Sequence, residues 1–149
     1  MELQWEIKAF KALSIEELYN VLLLRSEVFV VEQNCVYQDI DGKDHKALHL
    51  IGTYDDKIVA YARLFDAGYY FDEASIGRVV IDPEYRDKKW GHQLMQEAIA
   101  GIKHFYVKSA ITISAQEYLQ KFYEKNGFVK SSEMYLEDGI PHIQMKKSY

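Results

Sequence analysis

The fold is decided by PEYRDKKWGHQLM, residues 83–95. Just before it, SIGRVVI (75–81) is a β-branched, strand-forming run that Asp82 and Pro83 bring to a stop. After it, Gly91, Leu94, Met95, Ala98, Ile102 and Phe105 recur at helical spacing, so the segment carries a strand into an amphipathic helix. A loop that feeds a helix in this way gathers unpaired N–H groups at the positive end of the helix dipole. Arg86, Lys88 and Lys89 add positive charge there, and Gly91 lets a ligand approach the backbone closely. Arg86, Asp87, Lys88, Lys89, Trp90, Gly91 and His92 are therefore a candidate cradle for a phosphate or pyrophosphate. A solvated charged loop is the other reading the spacing allows. The segment has neither GKS/T nor GxGxxG, which sets aside Walker-type and dinucleotide-binding loops.

The rest of the chain limits what such a loop can serve. Its 149 residues suit one domain, 1–149, and 48% apolar with 28% charged residues describe a soluble globular protein. A net charge of −5 argues against a nucleic-acid-binding surface and leaves a small anionic ligand as the natural partner of a local basic cluster. Cys35 is the only cysteine, so no intrachain disulfide forms, and it reads as a small, partly buried residue rather than a nucleophile. MELQWEIKAF has neither the apolar core of a secretory signal nor the arginine-rich pattern of a transit peptide. No run approaches the roughly 20 apolar residues of a membrane span. A cytoplasmic protein without membrane contact is expected.

Local signals place the remaining elements. LQWEIKAF (3–10) reads as a strand. Ser14 and Glu17 have capping-box spacing, and the helix they start runs to about Gln33, weakened at its end by Val28, Val30 and Val31. NCVYQDIDGKDH (34–45) is a polar loop, and HLIGTY (49–54) with IVAYARLF (58–65) forms a hairpin across Asp55-Asp56-Lys57. SAITISA (109–115) is a strand, and QEYLQKFYEKN (116–126) a helix stopped by Gly127. Strands near 128–136 and 141–147 flank the turn Glu137-Asp138-Gly139. The order β-α-β-β-β-α-β-α-β-β describes an α/β (α+β) protein, a mixed sheet with helices on its faces.

Strand–DPEYRDKKWG–helix, followed by a strand and a helix ending in FYEKNGF (122–128), resembles the GNAT superfamily of N-acetyltransferases, by element order over nearly the whole chain. The family loop has the pattern Q/R-x-x-G-x-G/A; Arg86 and Gly91 match its ends, and Lys89 stands at the middle glycine. EVFVVEQNCVYQDIDG (27–42) and YLEDGIPHIQM (135–145) look like the ElaA-type subgroup. The resemblance implies the GNAT acyl-CoA N-acyltransferase fold. It also implies an acetyltransferase that moves the acetyl group of acetyl-CoA, its co-substrate, to a primary amine by direct attack in a ternary complex. A non-catalytic acyl-CoA-binding or regulatory module of the same fold is the alternative. The acceptor would be a small-molecule or peptide amine, and the assembly, as in many GNAT proteins, a homodimer.

By the same resemblance, the oxyanion donor is a backbone N–H near Val79–Val80, on a strand that splays from its neighbour around Ile113. Val79 and Ile81 would pair with the pantetheine amides. Tyr123 falls at the general-acid position, and Gln116, seven residues before it, stands where many relatives carry asparagine. Glu32 and Glu73 are the candidate bases, acting directly or through water, and each also reads as a surface carboxylate. Arg63, Arg78, Asp39 and His142 are the candidate acceptor-binding residues. The two arginines interrupt apolar strands, where a guanidinium requires a carboxylate partner such as Glu32 or Asp39, or an acidic group on the acceptor. Glu32, Asp39, Asp41 and Asp44, if they rim the acceptor mouth, favour a cationic amine or polyamine. His49 and His142 are further candidate bases, and no H-x-x-x-H or Cys/His spacing supports a metal.

Overall fold

The computed structural model describes residues 2–148. Strand β1 (Gln4–Ala9) leads to helix α1 (Ile15–Arg25), followed by β2 (Leu48–Tyr54), β3 (Lys57–Phe65) and β4 (Ser75–Ile81). A 3₁₀ segment, Pro83–Lys88, enters α2 (Gly91–Phe105). Then come β5 (Ile111–Gln116), α3 (Gln120–Lys125), β6 (Val129–Lys130), β7 (Tyr135–Glu137) and β8 (Ile140–Lys147).

Local chemistry accounts for the element ends. The capping box of α1 is complete: Glu17 N–H donates to the Ser14 hydroxyl at 3.0 Å and Ser14 N–H to the Glu17 carboxylate at 2.8 Å. Past Arg25 the helix widens instead of stopping. Ser26–Glu32 is π-helical, and Gln33 N–H donates to the Val28 carbonyl at 3.1 Å. The helix expected to about Gln33 therefore exists, with a loosened ladder where three valines crowd its turns. Asp55 and Asp56 (φ 52 and 60) turn β2 into β3, and Asp138 and Gly139 (φ 51 and 76) turn β7 into β8, both as two-residue left-handed hairpins. The single strand expected near 128–136 is broken into β6 and β7. Between them Ser132 accepts from the Gln144 N–H with its side chain, at 2.8 Å, which interrupts the regular ladder.

Strands β1–β4 form one antiparallel sheet in sequential order, and β5, β8 and β6 form a second, with β7 also on β8. Among the described residues the two sheets meet at one parallel bridge, Ala74 to Ile111. Thr112 N–H donates there to the Ala74 carbonyl at 2.9 Å, and Ala74 N–H to the Ala110 carbonyl at 3.1 Å. Beyond that bridge β4 and β5 diverge. The larger core packs α2 and α3 on one face through Ala62, Leu64, Leu94, Ile102, Ile113 and Met145. The other face of β2–β4 packs α1 through Val21, Leu24, Val28, Ile51, Tyr61 and Val80. Strand alternation puts Arg63 and Phe65 on the same side as Tyr61, so a guanidinium enters the α1 face of the sheet.

Candidate active site

Where β4 and β5 part, a cleft of about 860 Å³ opens between the two sheets. Its β4 wall carries a bulge. The β3–β4 register slips between Tyr61/Val80 and Arg63/Gly77, so Arg78 and Val79 together oppose Ala62, and Arg78 is left-handed (φ 50). For a non-glycine residue that conformation costs about 1–2 kcal/mol. The Arg78 side chain holds it in place: Nε donates to the Asp39 carboxylate at 2.7 Å, Nη2 donates to the Asp39 carbonyl at 3.1 Å, and the guanidinium lies over Tyr37.

At one end of the cleft lies the start of α2. The preceding 3₁₀ segment is capped by Asp82, which accepts from Glu84 N–H at 3.0 Å. Lys89 then adopts φ 59, ψ 37, the left-handed conformation that glycine enters freely and that explains a glycine at this point of the family loop. Trp90 stacks on Tyr85 with centroids 5.8 Å apart, which fixes the loop against the β2–β3 turn through Tyr54. The first turn of α2 carries no acidic residue and no side-chain cap, so its N–H groups stay open to a ligand. The fit at Gly91 is tight: a Cβ there would sit 3.2 Å from the Phe122 ring, which would have to give by a few tenths of an ångström. Of the expected cradle, Arg86, Trp90 and Gly91 line the cleft. Asp87, Lys88 and Lys89 face solvent, and His92 turns to α3, accepting from Asn126 at 3.1 Å and packing on Phe122. The charge of this loop is thus spread outward, and only part of it faces the cleft.

Arg86 is already partnered. Its Nη1 and Nη2 each donate to Glu32 at 2.7 Å, and its Nε donates to the Ile81 carbonyl at 3.2 Å. Those bonds hold the Glu32 carboxyl below its ordinary value; of its two readings, candidate base and surface carboxylate, Glu32 is seen as one half of an exposed ion pair on the cleft lining. Glu73 is not in the cleft. It accepts from Thr112 at 2.5 Å and lies 3.7 Å from Lys146, because it sits before the Ala74–Ile111 bridge, upstream of the splay.

Tyr123 lines the cleft from α3, 7% exposed and packed edge-on to Phe122 and Phe128. Burial pushes its hydroxyl above the ordinary phenol value, so at neutral pH it stays protonated and able to donate. Gln116, at the end of β5, donates to Gln33 at 3.4 Å, a contact between β5 and the end of the π-helical segment. Val79, Val80 and Ile81 line the β4 wall.

The α1 side of the cleft is built on a buried charge network that anchors the 34–46 segment. Arg63 donates to Asp41 at 2.9 and 2.7 Å, to Asp44 at 2.9 Å and to Tyr70 at 3.0 Å. Arg25, fully buried, donates to Asp39 at 2.9 Å and to Asp44 at 2.7 Å. Three guanidinium groups thus meet three aspartates. Arg78, partly buried, has the Asp39 partner, and Arg63 uses Asp41 and Asp44 rather than Glu32. An acidic acceptor mouth is corrected accordingly: these aspartates are neutralised inside the wall. Burial favours the neutral form of Asp44, but hydrogen bonds from Arg25 and Arg63 outweigh it and hold the carboxyl below its usual value. Arg25 escaped the sequence reading, although a cation inside the apolar run NVLLLRSEVF was the signal. His49 is buried beneath this network. Its Nε2–H donates to the Asp44 carbonyl at 2.8 Å and its Nδ1 accepts from Tyr61 at 2.6 Å, so it is neutral and structural. Burial holds its pKa below the ordinary histidine value.

On the opposite wall His142 reaches the cleft beside two residues the sequence did not single out, Ser114 and Glu137. The signal was present: a two-residue turn at Asp138-Gly139 fixes Tyr135 opposite His142 and Glu137 opposite Ile140.

Known proteins share this fold. The family described as "Acetyltransferase (GNAT) domain" matches residues 11–149. The chain belongs to the GNAT acetyltransferase family. Within the GNAT family it is 41% identical to Protein ElaA of Escherichia coli (strain K12) over 147 residues, 97% of this chain and 96% of ElaA. It matches the crystal structure of Escherichia coli ElaA with a TM-score of 0.90 at 40% identity, covering 99% of this chain and 100% of that one. An acyl-CoA N-acyltransferase from Pseudomonas aeruginosa matches with a TM-score of 0.90 at 41% identity, covering 97% and 99% of the two chains. The PaiA N-acetyltransferase from Thermoplasma acidophilum, solved in complex with coenzyme A, shares the fold with a TM-score of 0.67 at 21% identity, covering 98% and 99%. The GNAT fold expected from the sequence is the fold observed, and GNAT membership makes the chain an acyltransferase by family.

Proposed function

We propose that this GNAT chain transfers the acetyl group of acetyl-CoA to a primary amine by direct attack within a ternary complex. The observation that carries this reading is the parting of β4 from β5 beside the β4 bulge, with the Tyr123 phenol on the same cleft. Two strand edges separate there, and a slender amide-bearing chain such as pantetheine can lie between them and pair with main-chain groups of Val79 and Ile81. The open first turn of α2, with Arg86 beside it, suits the diphosphate. Choice of the coenzyme A carrier is supported by PaiA, which has this fold and is solved with that molecule.

The chemistry follows from those positions. The amine nitrogen attacks the thioester carbonyl, and an N–H near Val79–Val80, released from the ladder by the bulge, donates to the developing oxyanion. The carbon–sulfur bond breaks, and the leaving sulfur takes the Tyr123 proton. The surplus proton on nitrogen returns to Tyr123 through water.

Acetyl-CoA titration with a thermal-shift readout, followed by thiol release over a panel of primary amines, tests the reading. A ligand at 100 times its Kd stabilises by about 2.7 kcal/mol, and a shift of several degrees follows for a chain of this size. No shift at millimolar acetyl-CoA overturns the proposal. Binding with no transfer to any amine leaves a non-catalytic acyl-CoA module instead.

A further inference from the structure

The cleft wall formed by the second sheet carries a side-chain cluster that the chemistry above does not use. Ser114 on β5, Glu137 at the end of β7 and His142 on β8 all line the cleft. Glu137 joins the other two: one carboxylate oxygen accepts from the Ser114 hydroxyl at 3.0 Å, and the other lies 3.4 Å from His142 Nε2. Ser114 has one hydroxyl proton, committed to Glu137, so in its 2.5 Å contact with Tyr135 the phenol is the donor. The chain Tyr135→Ser114→Glu137 therefore orients an ionised carboxylate toward the imidazole.

The imidazole is equally constrained. His142 Nδ1 lies 2.7 Å from the Ile140 carbonyl, which only accepts, so Nδ1 carries the proton. In the neutral ring Nε2 then presents a lone pair to a carboxylate oxygen that also presents one, 3.4 Å away. Two acceptors facing each other lack one proton. Tyr135, stacked on the ring, cannot supply it, because its hydroxyl is spent on Ser114. The pair is completed either by protonating the ring or by a donor brought into the cleft.

We propose that the ammonium group of the acceptor sits astride the Glu137–His142 pair, on its cleft side, and that His142 is the base that takes its proton. This rests on the amine-acetylation reading of the cleft. A primary ammonium has three N–H donors: one meets Glu137, one meets His142 Nε2 and the third is left to water, while the N–C bond carries the rest of the molecule. Proton transfer from nitrogen to Nε2 converts R–NH₃⁺ and neutral imidazole into R–NH₂ and imidazolium, with Glu137 beside the cation in both states. The freed nitrogen lone pair then attacks the thioester, and the imidazolium later releases its proton to water. Tyr135 stacks on the His142 ring, and the other titratable groups on the cleft lining include Asp138 in the turn, Cys35, whose thiol lies 3.4 Å from the Asp138 carbonyl, the Glu32–Arg86 pair, and Arg78 with Tyr37. Arg78 is neutralised by Asp39, which leaves the Glu137–His142 wall as the attractive side for a cation. The acceptor class is a primary amine that enters as its ammonium ion and needs no carboxylate of its own.

The test uses His142→Asn, which keeps a donor for the Ile140 carbonyl, and Glu137→Gln, at a half-exposed position that covers the case in which the first variant fails to fold. Each is measured for acetyl-CoA affinity by calorimetry and for kcat/KM against pH with the best amine of a panel. Acetyl-CoA affinity is expected to stay at the wild-type value in both. His142→Asn loses about 10²-fold or more in kcat/KM at neutral pH, and its rate follows the free-amine fraction of the substrate alone. Glu137→Gln raises the amine KM by roughly 10- to 100-fold. An active wild type with His142→Asn unchanged in rate and pH profile overturns the assignment alone. A wild type that binds no acetyl-CoA and acetylates no amine overturns the transferase reading and this assignment with it.

Discussion

Asp44→Asn is the sharpest probe of how the α1 wall of the cleft is held. One oxygen of Asp44 accepts from Arg25 at 2.7 Å and from Arg63 at 2.9 Å, with the residue 7% exposed. The wild-type cluster balances three guanidinium groups against Asp39, Asp41 and Asp44. An asparagine keeps the shape but leaves one positive charge uncompensated between two buried arginines. Breaking a buried ion pair from one side costs about 3–5 kcal/mol. At about 2–4 °C per kcal/mol for a chain of this size, Tm should fall by roughly 6–20 °C. Urea unfolding at pH 7 with an unchanged m-value would measure the loss directly. Because the folded-state pKa of Asp44 is depressed, its contribution is full above the unfolded value near 3.9 and is lost as pH falls toward the folded value. The gap between wild type and variant should therefore close below about pH 4. A loss under about 1 kcal/mol at pH 7, the range of exposed pairs, would refute the view that this network is desolvated and structural.

Three further outcomes follow from the site. Tyr123→Phe should leave acetyl-CoA affinity intact and lower kcat by about 10²-fold or more, read in steady-state kinetics; full turnover would remove Tyr123 as the acid. Glu32→Gln frees Arg86 from an exposed pair and should tighten acetyl-CoA binding by at most about fivefold, since such a pair is worth no more than about 1 kcal/mol. Calorimetry checks this, and weaker binding would mean that Glu32 positions Arg86 for the ligand. The depressed pKa of His49 makes the unfolded chain take up a proton that the folded one refuses, so stability should fall as pH drops below about 6.5. His49→Gln should flatten that part of the urea-derived stability profile, and an unchanged slope would assign it to other groups.

What was legible in the chain was what neighbouring residues decide among themselves. Ser14 and Glu17, three apart, announced the start of α1, and Asp138-Gly139 announced a hairpin, because those bonds close within a few residues. Arg63 and Arg78 were legible as demands for a counter-charge. Their partners were less so, since Asp41 and Asp44 lie 22 and 19 residues from Arg63 and arrive by the path of an irregular loop. Which residue of the basic loop faces inward is set by its backbone: Lys89 takes the left-handed turn, and Arg86 ends against Glu32, 54 residues away. The break at Ser132 likewise answers to a tertiary bond, from the Gln144 N–H, whereas the widening after Arg25 falls on the valines that weakened the helix in the sequence.

The junction of the two sheets through Ala74 and Ile111 is a seam sewn with one stitch. Open strand edges are adhesive, and on a protein's outside they invite strands from other molecules. Here they are turned indoors. Gln33 reaches Gln116 and Cys35 reaches the Asp138 carbonyl, so two lashings cross from the first half of the chain to the second sheet. The same unfinished seam that gives this chain its groove thus turns the two free strand edges toward each other across the cleft instead of outward.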